Sequence, residues 1–245
     1  MDMNLSSGKA PAPRCQLSFI VPAYNEARLI GATLSAIRNA GAANGEPFEI
    51  ILVDDGSTDE TALIAREHGA RVVPAGNRQI SRTRNDGAKA ARGDYLFFVD
   101  ADTLINPAVV RAAVSAMRAG NVGGGAVFRF DDSVRLAGRV AELAVATVLR
   151  WLHLASGCFV FCKRDAFERV GGFPTDLFAA EEWVLSRAMG KLGRFRVLPE
   201  TVITSGRKLH TVPLSAVIRL GWLGLTRGRR ALQQRDGLGI WYGER

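Results

Sequence analysis

Short, almost wholly apolar runs alternate along the chain with stretches in which apolar residues return every three or four positions. The runs are Leu17–Val21, Ile50–Val53 and Leu96–Val99. Their length and lack of polar alternation predict strands covered on both faces. Ile30, Leu34 and Ile37 share one helical face after Asn25, whose side chain is placed to cap that helix. Ser57 and Glu60 form a capping-box pair that predicts a helix from Asp59 to His68. A further helix is predicted over Ser81–Ala91, and the pair Asn106-Pro107 opens one that reaches Ala119. Strands and helices alternate in the manner of βαβ units with a mainly parallel sheet. After Gly120 the pattern changes to a glycine-rich strand (Gly123–Phe130), a long helix (Val134–Leu154), a short strand (Cys158–Cys162) and the turn Gly171-Gly172-Phe173-Pro174.

Composition narrows the class. With 245 residues, 47% hydrophobic and 23% charged, the chain suits one sizeable α/β domain and is too apolar for native disorder. Its longest uncharged run, Trp151–Cys162, falls well short of the ~20 residues of a membrane-spanning helix. Residues 1–16 are polar, carry Pro11 and Pro13 and lack the apolar core of a secretory signal, so they read as a flexible leader on a cytoplasmic protein. Three cysteines, Cys15, Cys158 and Cys162, cannot build a disulfide framework, and the last two, flanking Phe159–Phe161, read as core residues. Residues 17–206 form one domain with no linker or repeat, followed by a basic, partly apolar appendage at 207–245.

The net charge is +8, but residues 207–245 hold eight Lys/Arg against two acidic residues, so the body is nearly neutral. An excess confined to one segment points to a local anionic partner, a phosphate group or a membrane surface, and away from nucleic acid; a merely solvated face is the plain alternative.

In an open parallel sheet, ligands bind beyond the carboxyl ends of the strands. Here those ends are acidic: Pro22-Ala23-Tyr24-Asn25-Glu26, Asp54-Asp55-Gly56-Ser57 and Asp100-Ala101-Asp102. Neither G-x-G-x-x-G nor G-x-x-x-x-G-K-[ST] follows the first strand, so backbone amides do not cradle a phosphate there. A divalent cation on Asp100 and Asp102, Mn²⁺ or Mg²⁺, is the natural alternative, since such ions take carboxylate oxygens and bridge to phosphates. Two acidic clusters at neighbouring strand ends also repel unless a cation or ligand lies between them. Asp54 and Asp59 have a plainer reading as turn and first-turn residues.

Taken together, Val21-Pro-Ala-Tyr-Asn-Glu26, Val53-Asp-Asp-Gly-Ser-Thr-Asp59, Arg84-Asn85-x-Gly87, Asp100-x-Asp102, Gly171-Gly172-Phe173 and Glu181-Glu182 before Leu185-x-Arg187 resemble glycosyltransferase family 2, over roughly residues 17–200. The resemblance implies a GT-A fold, a Rossmann-like nucleotide half joined to an acceptor half. It also implies an inverting, metal-assisted transfer from a nucleoside-diphosphate sugar, a UDP-sugar first and a GDP-sugar second. Position by position, it implies that Pro22, Tyr24 and Glu26 lie along base and ribose and that Asp55, or its neighbour Asp54, accepts from a base N–H. Arg84 would support that pocket. Asp102 would hold the metal on the diphosphate, with Asp100 on ribose or metal.

Inversion needs a general base on the acceptor hydroxyl. The resemblance implies Glu182 for that role, in a position where the family usually shows aspartate, with Glu181 in support. The plain alternative makes both acids first-turn residues that complement a helix dipole. Many relatives carry a histidine near Ser205–Arg207; this chain offers Arg207 for the diphosphate, with His210 further on. His68, His153 and His210 are too scattered for a metal site, and Trp183 fits either core or acceptor. Val134–Leu154 and the apolar residues from Val217 to Leu225 are edged by arginine. Such helices lie in a membrane interface, which would imply a lipid-linked acceptor, or pack on the domain or a second subunit. Rival functions are a nucleotidyltransferase, which would carry a Gly-rich basic loop after the first strand, and a non-catalytic nucleotide-sugar or anionic-lipid binder.

Overall fold

The computed structural model describes residues 15–131, 136–177 and 179–207. Strands β1 (Leu17–Ala23), β2 (Phe48–Asp54), β3 (Arg71–Pro74) and β4 (Tyr95–Val99) alternate with helices α1 (Ile30–Ala42), α2 (Thr61–Glu67) and α3 (Ile80–Ala90). These strands pair in parallel in the order β3-β2-β1-β4. There follow β5 (Thr103–Leu104), α4 (Pro107–Arg118), β6 (Gly123–Phe130), α5 (Leu136–Trp151), β7 (Phe159–Lys163), α6 (Arg164–Arg169), α7 (Glu181–Leu192) and β8 (Phe195–Thr204). β7 lies antiparallel between β4 and β6, β8 runs parallel to β6, and β5 closes the far edge antiparallel to β8. The expected α/β sheet, mostly parallel and helix-flanked, is therefore present, with the antiparallel pairings gathered in the second half.

Successive side chains of a strand face opposite sides of the sheet, so uninterrupted apolar runs fill two cores at once. Phe19, Phe97, Phe159 and Phe161 enter one, with the Phe19 and Phe97 rings stacked 4.9 Å apart. Ile20, Phe98, Val160 and Cys162 enter the other, where Phe98 meets Phe173 edge-on at 5.0 Å. Cys158 and Cys162 are buried free thiols, as expected, and burial pushes Cys158 up to about 12. The glycines of β6 have a steric origin. A Cβ on Gly124 would stand 2.0 Å from the Arg196 carbonyl and 2.5 Å from the Phe161 ring, so only glycine lets β6 run between its neighbours.

Three local expectations are corrected. Asn25 does not cap α1, which starts at Ile30 without a side-chain cap; Asn25 adopts φ 52° and its Oδ1 accepts from the Thr58 amide at 2.8 Å. Ser57 and Glu60 form no capping box: Ser57 Oγ accepts from the Asn25 amide at 3.0 Å instead. α2 opens at Thr61, beside Asp59, whose Oδ1 accepts from the Thr61 amide at 3.0 Å. The physical reason is shared. The loops after β1 and β2 bond to each other across the sheet end, and Asp59 Oδ2 takes the Ala27 amide at 3.1 Å. Asn106 does cap α4, accepting from the Val109 amide at 3.1 Å. The leader up to residue 14 and the appendage beyond Arg207, with His210 and the apolar stretch 217–225, lie outside the described residues.

Candidate active site

The carboxyl ends of β1, β2 and β4, the start of α7 and one side of α5 enclose a cleft of about 710 Å³. Pro22, Tyr24, Glu26, Asp55, Arg84, Asp100, Asp102 and Glu182 all line it. Asp54 does not belong to this wall. Its Oδ1 accepts from the Ser57 amide at 3.1 Å, closing the turn after β2, so of the two neighbouring acids only Asp55 reaches the cleft.

Asp55 is buried, and its Oδ1 accepts from the amides of Asn77 at 2.6 Å and Arg78 at 3.0 Å. Two backbone donors fix that carboxylate while Oδ2 makes no hydrogen bond among the described residues. Arg78, held at φ 49°, lays its guanidinium 3.9 Å from the centre of the Tyr24 ring. Nothing local in the sequence points to Arg78, because the four-residue, half-buried β3 that delivers its loop is too short to be recognisable as a strand.

Arg84 is buried in the cleft wall and acts as a three-way tie. Nη2 donates to Asp100 Oδ1 at 2.8 Å and to the Gly157 carbonyl at 2.7 Å, and Nη1 donates to Glu181 Oε1 at 2.9 Å. Burial works against its charge, but Asp100, Glu181 and Glu182 hold it protonated. Within the cleft its partners are the acids of β4 and α7. Glu26 is buried and ion-paired to Arg207, which contacts both of its carboxylate oxygens. Arg207 Nη2 also stands 3.4 Å from Asp102 Oδ2, and Thr204 Oγ1 stands 3.4 Å from Asp102 Oδ1. The cation expected at the diphosphate therefore lies against the acids that would share it.

The donor set suits a hard divalent ion. Asp100 and Asp102 offer carboxylate oxygens at the mouth of β4, and Mg²⁺ or Mn²⁺ in phosphate sites takes one or two carboxylates and fills its shell with phosphate and water oxygens. Among the described residues no cluster of three or more His, Cys, Asp or Glu forms a closed metal cage, so any ion here would depend on its ligand for the remaining contacts. His68 Nδ1 lies 2.9 Å from the Ile64 carbonyl, remote from the cleft.

Glu181 and Glu182 enter the cleft from a strained hinge. Ala180 precedes them at φ 59°, ψ 22°, a left-handed conformation costing about 1–2 kcal/mol for a residue with a Cβ. Glu181 is spent on Arg84. Glu182 lines the cleft beside Gly157, where an added Cβ would meet its carboxyl carbon at 3.6 Å. Burial, then the charges of Glu181 and Asp100, push Glu182 up to about 8 against the opposing pull of Arg84. The remaining wall is apolar: Phe128, Phe130, Val145 and Leu149, with Trp183 at 38% exposure on the rim rather than in the core. No helix among the described residues is long and apolar enough to cross a membrane.

The sequence profile of glycosyl transferase family 2 matches residues 18–171. Validoxylamine A glucosyltransferase of Streptomyces hygroscopicus subsp. jinggangensis is 34% identical over 107 residues, 41% of this chain and 25% of that protein. Two further curated relatives are spanned over only 27% and 28% of their length. Among solved structures, S. aureus TarS 1–349 in complex with UDP-GlcNAc superposes with a TM-score of 0.62 at 21% identity, over 78% of this chain and 58% of that one. The mannosyltransferase PcManGT of Pyrobaculum calidifontis, solved with GDP-Man and Mn²⁺, gives 0.61 at 24% identity, over 82% and 61%. At these identities the superpositions establish a shared GT-A fold.

Proposed function

The chain belongs to glycosyl transferase family 2, and we propose that it transfers a sugar from a nucleoside-diphosphate sugar to an acceptor hydroxyl, with inversion at the anomeric carbon. The observation that carries this reading is one cleft holding a pair of carboxylates at the end of β4 and, on α7, a carboxyl of raised proton affinity. UDP-GlcNAc in TarS and GDP-Man with Mn²⁺ in PcManGT support the donor class and the metal. Neither fixes the base or the sugar.

In this reading Asp55 accepts from a base N–H, and Pro22 and Tyr24 flank base and ribose. Asp100 and Asp102 would hold Mn²⁺ or Mg²⁺, which when bound neutralises charge on the departing diphosphate. Arg207 exchanges Glu26 and Asp102 for diphosphate oxygens when the donor arrives, a guanidinium being suited to paired phosphate contacts. Glu182 takes the proton of the acceptor hydroxyl. The acceptor oxygen bonds the anomeric carbon on the face opposite the diphosphate, and the carbon–oxygen bond to the diphosphate breaks with its electron pair leaving on the nucleoside diphosphate. A base that starts protonated needs the bound donor and metal, or a higher pH, to release that proton. Activity on this reading rises with pH up to about 8. Arg84 touches no reacting atom; it fixes Asp100 and Glu181.

The test is thermal stabilisation by UDP, GDP and their sugars with Mn²⁺, Mg²⁺ or EDTA, since a ligand of the folded state alone raises the melting temperature. A metal-dependent shift with one nucleotide, lost in Asp102→Asn, supports the donor site and names its base. Absence of any shift defeats the transferase reading and favours a binding protein derived from the family.

A further inference from the structure

The mechanism leaves one large feature unused: the outer side of α5. At ~100° per residue, Glu142, Ala146 and Leu149 point inward and are buried. Arg150 stands exposed along one flank, while Arg139 on the same side turns its guanidinium to the Phe130 and Asp131 carbonyls. The remaining arc presents Leu143, Thr147, Val140, Trp151, Ala144, Val148, Leu152 and Val145 in angular order, with no charged residue. Thr147 spends its hydroxyl on the Leu143 carbonyl at 2.7 Å. Trp151 is 80% exposed, Leu143 69% and Val140 66%. A surface helix of a domain in water normally turns its charged face outward; this one turns out its apolar face.

We propose that this face of α5 docks on an anionic membrane surface. Three observations favour that occupant over a second copy of the chain. The first is the residue set: a tryptophan and branched aliphatics on the arc and arginine on its flank, the composition of helices lying in the headgroup boundary. The second is charge. Arg129, whose Nε lies 3.8 Å from Glu142 of α5, is 62% exposed. Each copy of the chain carries a net charge of +8, so two copies repel, whereas anionic headgroups attract them. The third is placement. Val145 and Leu149 of the same helix form the apolar wall of the cleft, so an acceptor carried on a lipid would reach Glu182 from the surface itself. That last consequence rests on the transferase reading; the docking does not.

The full chain is floated on density gradients with vesicles of phosphatidylcholine alone and of phosphatidylcholine with phosphatidylglycerol in about a 3:1 ratio. The protein is expected to float with the anionic vesicles only, and Val148→Glu combined with Trp151→Glu to lower the bound fraction at least about tenfold. Both positions are exposed, so the melting temperature and its response to UDP or GDP with Mn²⁺ should stay unchanged. That solution response reads the donor site independently of the vesicles. No flotation with anionic vesicles, or flotation that the double variant retains, overturns the proposal. So does a dimer by light scattering that the double variant dissolves, which would assign the face to a second copy.

Discussion

Glu182→Gln separates the cost of the raised carboxyl from its use. In the folded protein this group holds its proton between about 4.5, its ordinary value, and about 8, a window in which the unfolded chain has released it. The folded state binds more protons there, so the stability contributed by Glu182 is fully present below 4.5 and is lost as pH rises toward 8. At ~1.4 kcal/mol for each pH unit, the whole window would be worth about 5 kcal/mol. The carboxyl opens onto cleft water and shares its charge balance with Glu181 and Arg84, which reduces the expectation to about 2 kcal/mol. Glutamine has the same shape and cannot ionise. Urea denaturation of both proteins at pH 5, 7 and 9 should therefore show a stability difference that grows in favour of the variant with each step. The variant should also lose transfer activity, the trade expected where a strained acid serves chemistry. A difference that is flat with pH, or that favours the wild type more as pH rises, would refute the reasoning.

Two further outcomes follow from packing and charge. Arg84→Met leaves Asp100, Glu181 and Glu182 together without their buried cation, and should cost about 3–5 kcal/mol by urea denaturation at pH 7. Gly124→Ala forces a methyl to within 2.0 Å of a backbone oxygen; a loss above about 4 kcal/mol, seen as a collapsed urea midpoint or insoluble protein, is expected.

The sequence was legible where its signals were local. The apolar runs pointed to β1, β2 and β4, and Asn106-Pro107 to the start of α4, because burial and capping act within a few residues. It misled at Asn25 and Ser57. Their hydrogen-bonding groups are met by each other's loop, 32 residues away, and nothing in either tripeptide signals that. The same distance effect governs the site. Asp55, Asp100, Asp102 and Glu182 were readable as acids at strand ends and a helix start, and they share the cleft. The partners of Arg84 were not, nor was the choice between Asp54 and Asp55, which turns on which carboxylate closes the turn after β2.

Arg84 also sets a timetable for assembly. Its partner Glu181 lies 97 residues later in the chain and its Gly157 partner 73 residues later. A ribosome adding about 5–20 residues per second delivers that carboxylate roughly 5–20 s after the guanidinium. In that interval β1 to β4 can pair with one another, although β7, the other neighbour of β4, is still absent, and the arginine at their margin has no acid from α7. Completing its ties, and with them joining the first four strands to α7, waits until α7 has been made. The cleft therefore closes only once α7 is present, and a chain cut short before it would keep the β3-β2-β1-β4 pairing but lack β8, the strand between β6 and β5, and with it the site.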